Sequence, residues 1–230
     1  MSNPWLNPEY ESKISKGITM DITHRCLLQC TKCMRSYFPG LWKRGKDMPL
    51  KDFKVILESN VKELDICGQM GDPIYHPKFI DILKMCAKYD KKIVIHTNGH
   101  GKKASFWNEI IKIMNNNKSL NIDWIFGLDG LPNQSHIYRV NQDGEAVWEV
   151  MKKLAKHSNN INWQYIVFRY NQNNIDVARQ LAKDNNVIFK LFLSSRWDGG
   201  TFSKPDKNGR WDPLRPNKKY TVSSVSDLYG

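Results

Sequence analysis

Thr23-His24-Arg25-Cys26-Leu27-Leu28-Gln29-Cys30-Thr31-Lys32-Cys33-Met34-Arg35 is the stretch on which the reading of this chain turns. Three of the five cysteines fall here at Cys-x3-Cys-x2-Cys spacing, while Cys67 and Cys86 stand apart. With no second dense group to pair with them, these cysteines form a ligand pattern rather than a disulfide framework. Three thiolates on one short loop suit three irons of a [4Fe-4S] cube and leave the fourth iron open to a small molecule. Two other readings stand beside this one. Cys3His is a structural zinc set and His24 is close by, and the same cysteine offsets put three small apolar residues on one face of a helix.

Outward from the loop, the chain repeats a strand-then-helix rhythm. Gly17 to Thr23 alternates as a buried strand, with Ile18, Met20 and Ile22 on one face. Met48-Pro49 leads into a helix that carries Leu50, Phe53, Ile56 and Leu57. Strands are then expected at 61–67, 92–96, 123–128, 163–168 and 187–193, separated by helices at 77–88, 103–114, 145–157 and 175–184. Six strands joined through helices imply a parallel sheet, because parallel neighbours need crossover connections. That order suits either a doubly wound sheet or a barrel. No Gly-x-Gly-x-x-Gly follows the first strand, which weighs against a dinucleotide fold.

The cysteine spacing on a loop after the first strand resembles the signature of the radical S-adenosylmethionine (SAM) superfamily, and later motifs fall in its order from Ile18 to Leu193. Cys67-Gly68-Gln69-Met70-Gly71-Asp72-Pro73 is similar to the Gly-Gly-Glu-Pro segment of that family, with Met70 for the first glycine and Asp72 for the glutamate. Thr97-Asn98-Gly99 follows the third strand, and Gly127-Leu128-Asp129-Gly130 resembles Ser-x-Asp-Gly with Gly127 in place of serine. Lys32 stands where the family usually carries an aromatic or apolar residue. The resemblance implies a partial (β/α)6, TIM-like barrel with functional groups at the C-terminal strand ends. It implies Cys26, Cys30 and Cys33 as cluster ligands.

For SAM, the resemblance implies Gly71, Asp72, Asn98, Asp129, Arg169 and Leu193. Gly71 backbone and the Asp72 carboxylate would receive the ammonium, Asn98 the ribose hydroxyls or the SAM carboxylate, and Asp129 the ribose or the substrate. Arg169 would meet the SAM carboxylate or pair with Asp129, and Leu193 would wall the adenine. Each has a plain counterpart, since Gly-Asp-Pro, Asn-Gly and Asp-Gly are ordinary turns. Arg139 reads either as an anion contact or as a surface charge on a helix. The expected activity is reductive cleavage of SAM to a 5′-deoxyadenosyl radical that takes hydrogen from a substrate. Peptide-modifying relatives lead as the comparison, and a small flavodoxin or ferredoxin is the expected electron donor.

Residues 1–16 are expected to form an irregular lead-in, 17–200 the core domain, and 201–230 a polar tail or the start of a further cysteine-rich module. There is no apolar run long enough to span a membrane and no basic-then-apolar N-terminal signal, so cytoplasm is the expected compartment. Oxygen-sensitive thiolates suit that reducing environment. Lys and Arg exceed Asp and Glu by 35 to 23 for a net charge of +12, which permits an acidic partner, nucleic acid included. The basic residues are spread without a compact arm. Two further functions fit the residues: an iron–sulfur carrier or maturation factor that does not turn over SAM, and a basic nucleic-acid or peptide binder on a degenerate barrel.

Overall fold

The strand predicted at Gly17 to Thr23 ends early, because beyond Met20 the chain leaves the sheet and its polar groups turn to other partners. In the computed structural model, which describes residues 17–37, 40, 45–194, 197 and 204–221, β1 is Gly17–Met20. The predicted lead-in, residues 1–16, lies outside the described residues. The other strands are β2 Glu63–Ile66, β3 Lys92–Thr97, β4 Asn121–Gly127, β5 Ile161–Ile166 and β6 Ile188–Phe192. All six are parallel, in one sheet whose spatial order equals chain order, β1-β2-β3-β4-β5-β6. That order is the topology of the partial (β/α)6 barrel and not of a doubly wound sheet, which needs a reversal of strand order.

The helices are α1 Met34–Tyr37, α2 Leu50–Glu58, α3 Phe79–Cys86, α4 Ala104–Asn116, α5 Gly144–Ala155 and α6 Ile175–Asp184. Several ends differ from the periodicity by one or two residues, the ordinary spread at fraying helix ends, and a side-chain cap fixes some of them. Asp143, for instance, starts α5 by accepting the Ala146 N–H at 3.0 Å. Among the described residues no helix is long and apolar enough to cross a membrane.

The chain divides within β4 into two compact units, one of Met1–Cys26, Phe38–Thr97 and Lys103–Trp124, the other of Leu27–Tyr37, Asn98–Lys102 and Ile125–Gly230. In the first, Leu64 and Ile66 of β2 and Ile93 and Ile95 of β3 are buried on one face. Trp107, Ile110, Ile111 and Met114 form the buried stripe of α4. Phe79 and Trp107 meet Trp124 edge-on at 6.2 and 6.1 Å. The alternate face is polar, which is unusual for a parallel sheet. There Asp65 faces His96 at 3.1 Å and accepts from Thr19 at 3.3 Å, and Lys92 bridges Glu63 and Asp123 at 3.2 and 3.8 Å. His96 holds the Asp65 carboxyl below its usual range despite half burial.

In the second unit, Val147, Trp148, Met151 and Leu154 supply the buried stripe of α5, and Ala178 and Ala182 that of α6. Trp163 lies 5.0 Å from Trp148, and its indole N–H donates to the Leu128 carbonyl at 2.6 Å. A separate apolar cluster of Tyr138, Phe168 and Trp197 carries Cys30 and Leu214 at its margin.

Candidate functional site

In the first unit, the loops after β1 and β2 are tied together at the C-terminal strand ends. Asp21 accepts the Met70 N–H at 3.3 Å, and the Asp72 N–H donates to the Arg25 carbonyl at 2.8 Å. Burial raises the Asp21 carboxyl above its usual pKa, against the backbone donors of Met70, Gln69 and Gly71 that stabilise its charge. Asp47 accepts from Thr23 at 2.6 Å and pairs with Arg25 at 2.9 Å, so its carboxyl sits low. His76 accepts the Lys78 N–H on Nδ1, which leaves Nε2–H to donate to the Met48 carbonyl at 2.9 Å.

Gly71 lies against the chain just before Cys26. A Cβ there would come within 2.1 Å of the Thr23 carbonyl oxygen, so the absence of a side chain sets how closely the two loops approach. Gly71→Ala is expected to cost about 3 kcal/mol, the upper end of overpacking penalties, because the contacts are backbone and have no rotamer to yield. Thermal unfolding checks this; a melting temperature equal to wild type would mean that the loop shifts freely.

Asp72 is 3% exposed. Its carboxylate accepts the Thr97 hydroxyl at 2.9 and 3.1 Å and the Ile74 N–H at 3.2 Å, capping the short turn Pro73–Tyr75. Tyr75 is beside it, its phenol pushed well above its usual pKa by burial and then by the charges of Asp72 and Cys26. Thr97 and Tyr75 were not among the residues singled out from sequence. Thr97 carried a signal, since it precedes Asn98-Gly99 at the end of a β-branched strand.

Cys26, Cys30 and Cys33 form no disulfide and are half-buried. Residues 21–33 carry no helix, which removes the reading of the cysteines as one helical face. The loop from Leu27 to Tyr37 belongs to the second unit and is pinned there by backbone, with Gln29 N–H on the Val140 carbonyl at 3.1 Å and Thr31 N–H on Tyr138 at 3.2 Å. Among the described residues no three His, Cys, Asp or Glu side chains converge to hold a single metal ion. A cubane makes no such demand, because each thiolate binds its own iron. Cysteine thiols are, by their chemistry, the donors such a group takes.

Across those two hydrogen bonds sits Arg139. Its Nε donates to Oδ2 of Asp129 at 2.8 Å, with side chains 14% and 0% exposed. Asp129 is committed on both oxygens, Oδ1 accepting the Ile166 N–H at 2.8 Å, and its carbonyl accepts the Tyr170 hydroxyl at 2.6 Å. The guanidinium occupies the space above Gly127, where a Cβ would lie 2.3 Å from Nη2. Burial opposes its charge, and Asp129, with Cys30 and Tyr138, more than restores it. The partner of Asp129 is thus Arg139 and not Arg169.

Arg169 instead donates through Nε to the Arg215 carbonyl at 2.9 Å. Asn98 is 4% exposed; its Oδ1 accepts the His100 N–H at 2.9 Å and its carbonyl accepts Gln142 at 2.7 Å, a turn-holding role. Leu193 is half-buried just after β6.

Known proteins match in the same terms. A relative from Pyrococcus furiosus, "Tungsten-containing aldehyde ferredoxin oxidoreductase cofactor-modifying protein", is 29% identical over 148 residues, 62% of this chain; the chain spans 39% of that relative's length. Streptococcus suis SuiB bound to its precursor peptide SuiA superposes with TM-score 0.63 at 18% identity, over 81% of this chain and 45% of SuiB. Methylornithine synthase, PylB, does so with TM-score 0.55 at 11% identity, over 77% and 53%. These likenesses are of fold. Radical SAM superfamily members bind a [4Fe-4S] cluster and SAM. The family model of the Radical SAM superfamily matches residues 20–181, which include all three loop cysteines, and so the chain belongs to this superfamily of enzymes.

Proposed function

We propose that this protein holds a [4Fe-4S] cluster through Cys26, Cys30 and Cys33, cleaves SAM reductively, and takes hydrogen from a peptide substrate. The observation that carries the reading is the Cys-x3-Cys-x2-Cys run that follows the first strand of a parallel sheet, inside the residues matched to this superfamily. The cluster and SAM would supply the electron and the 5′-deoxyadenosyl radical, and the protein's part is to bind, orient and exclude water. Asp21 and Gly71 fix the loop after β2 against the start of the cysteine loop. Gly71 offers SAM its backbone; Asp72, already engaged by Thr97 and Ile74, contributes mainly by shaping that loop. Asp129 holds Arg139 in place, and Arg139 holds a positive charge beside the segment that pins Cys30. Asn98 and Leu193 remain the proposed contacts for ribose and adenine.

A peptide is favoured as substrate because SuiB, similar in fold over most of this chain, is a protein that binds a precursor peptide. A flavodoxin or ferredoxin in a reducing compartment is the proposed electron source. Anaerobic protein with a reductant and SAM is expected to release 5′-deoxyadenosine and methionine in equal amounts. A full cluster with no 5′-deoxyadenosine would leave an electron carrier or maturation factor. Supplying a deuterated peptide pool, or separately a deuterated nucleotide pool, tests the substrate class, since deuterium enters 5′-deoxyadenosine only from the pool that contains the substrate.

A further inference from the structure

The cysteine loop from Leu27 to Tyr37 is irregular except for the four-residue α1, and backbone bonds from Gln29 and Thr31 hold its first half. Its far end also meets a distant part of the chain. Lys32, immediately before Cys33, pairs with Asp212 at 2.5 Å, the two side chains being 16% and 13% exposed. Asp212 is itself fixed in a turn, its Oδ1 accepting the Leu214 N–H at 2.9 Å and its carbonyl the Arg215 N–H at 2.9 Å.

The residues around Asp212 are anchored independently. The Leu214 carbonyl accepts the Arg169 N–H at 3.0 Å, and its side chain packs on the Tyr138, Phe168 and Trp197 cluster that Cys30 also touches. Arg215 donates to the Trp197 carbonyl at 2.8 Å and lies over Trp211 at 4.3 Å. The Asn217 N–H donates to Gln172 at 2.7 Å, and Thr221 bridges to Ser194 in parallel. A lysine at Lys32 is costly to bury without a partner. One loop thus depends on a segment about 180 residues away, held by at least five other contacts.

We propose that residues 211–217 are a clasp on the cysteine loop, with Lys32 and Asp212 the positioning residues that keep Cys30 and Cys33 sheltered and set to receive the cluster. This rests on the reading of that loop as the cluster loop, but its test needs neither cluster nor SAM. Cluster-free, reduced protein is treated with iodoacetamide, and the labelling rate of each cysteine is followed by peptide mass mapping. In Asp212→Asn and in Lys32→Met, Cys30 and Cys33 are expected to react about tenfold faster than in wild type, while Cys67 in the other unit keeps its rate. The double variant Lys32→Met/Asp212→Leu replaces the buried pair with apolar side chains and is expected to return both rates toward wild type. Unchanged rates in both single variants overturn the proposal. Acceleration of all five thiols together also overturns it, since that is general unfolding rather than release of one loop. If the single variants do not fold, fast labelling of Cys30 and Cys33 in the folded double variant overturns it as well. Failure of SAM cleavage with this labelling pattern intact would leave the clasp standing and remove only the proposed reaction.

Discussion

Alanine at any one of Cys26, Cys30 or Cys33 is expected to bring iron from about four per chain to none after anaerobic reconstitution, because alanine offers no donor and a cubane with two protein thiolates is not retained. The same change at Cys67 or Cys86 is expected to leave iron content as in wild type. Cys86 is 1% exposed in α3, away from the cysteine loop, and burial pushes its thiol up to about 12, which opposes ligation. Cys67 is half-buried, and burial together with the charge of Asp21 raises its thiol too. Iron analysis and the visible absorption of the brown protein read the outcome. Loss of iron on replacing Cys67 would show that the ligand set is misassigned, and a colourless wild type with one zinc would remove the cluster altogether.

Asp129→Ala is expected to destabilise the protein by about 3–5 kcal/mol, the cost of stranding a buried partner charge. Two groups lose at once: the Arg139 guanidinium its counter-charge and the Ile166 N–H, at the end of β5, its acceptor. In a chain of this size the melting temperature is expected to fall by about 10 °C. Replacing both partners, as Asp129→Leu/Arg139→Met, is expected to recover much of it, since an apolar pair often matches a buried ion pair. If Asp129 were purely a ribose contact, the alanine variant would melt like wild type and only SAM binding would weaken. Thermal unfolding of the single and double variants without SAM decides between these.

Much of the scaffold could be read from side-chain period alone. The helix expected at 175–184 is α6 to the residue, because Ile175, Ala178 and Ala182 repeat at helical spacing between polar neighbours. The polar partnerships could not. Arg139 reads as a helix-surface charge only if the helical phase continues past Ile137, but Pro132–Ile137 is a 3-10 turn and the phase is lost there. Its pairing with Asp129 follows from tertiary placement, and the only hint was the missing serine at Gly127. The segment after β6 has the composition of a tail. Residues 204–221 are nonetheless attached through main-chain hydrogen bonds and one ion pair, contacts that leave no periodicity in a sequence.

Gly127 and Arg139 also constrain the routes by which this chain can change. The usual serine of the superfamily cannot simply be put back, since its Cβ would fall on a guanidinium that Asp129 holds by Nε and that has little freedom to swing aside. The two positions are therefore coupled: a side chain at position 127 needs a compensating change at position 139, so neither residue can be exchanged as an independent unit.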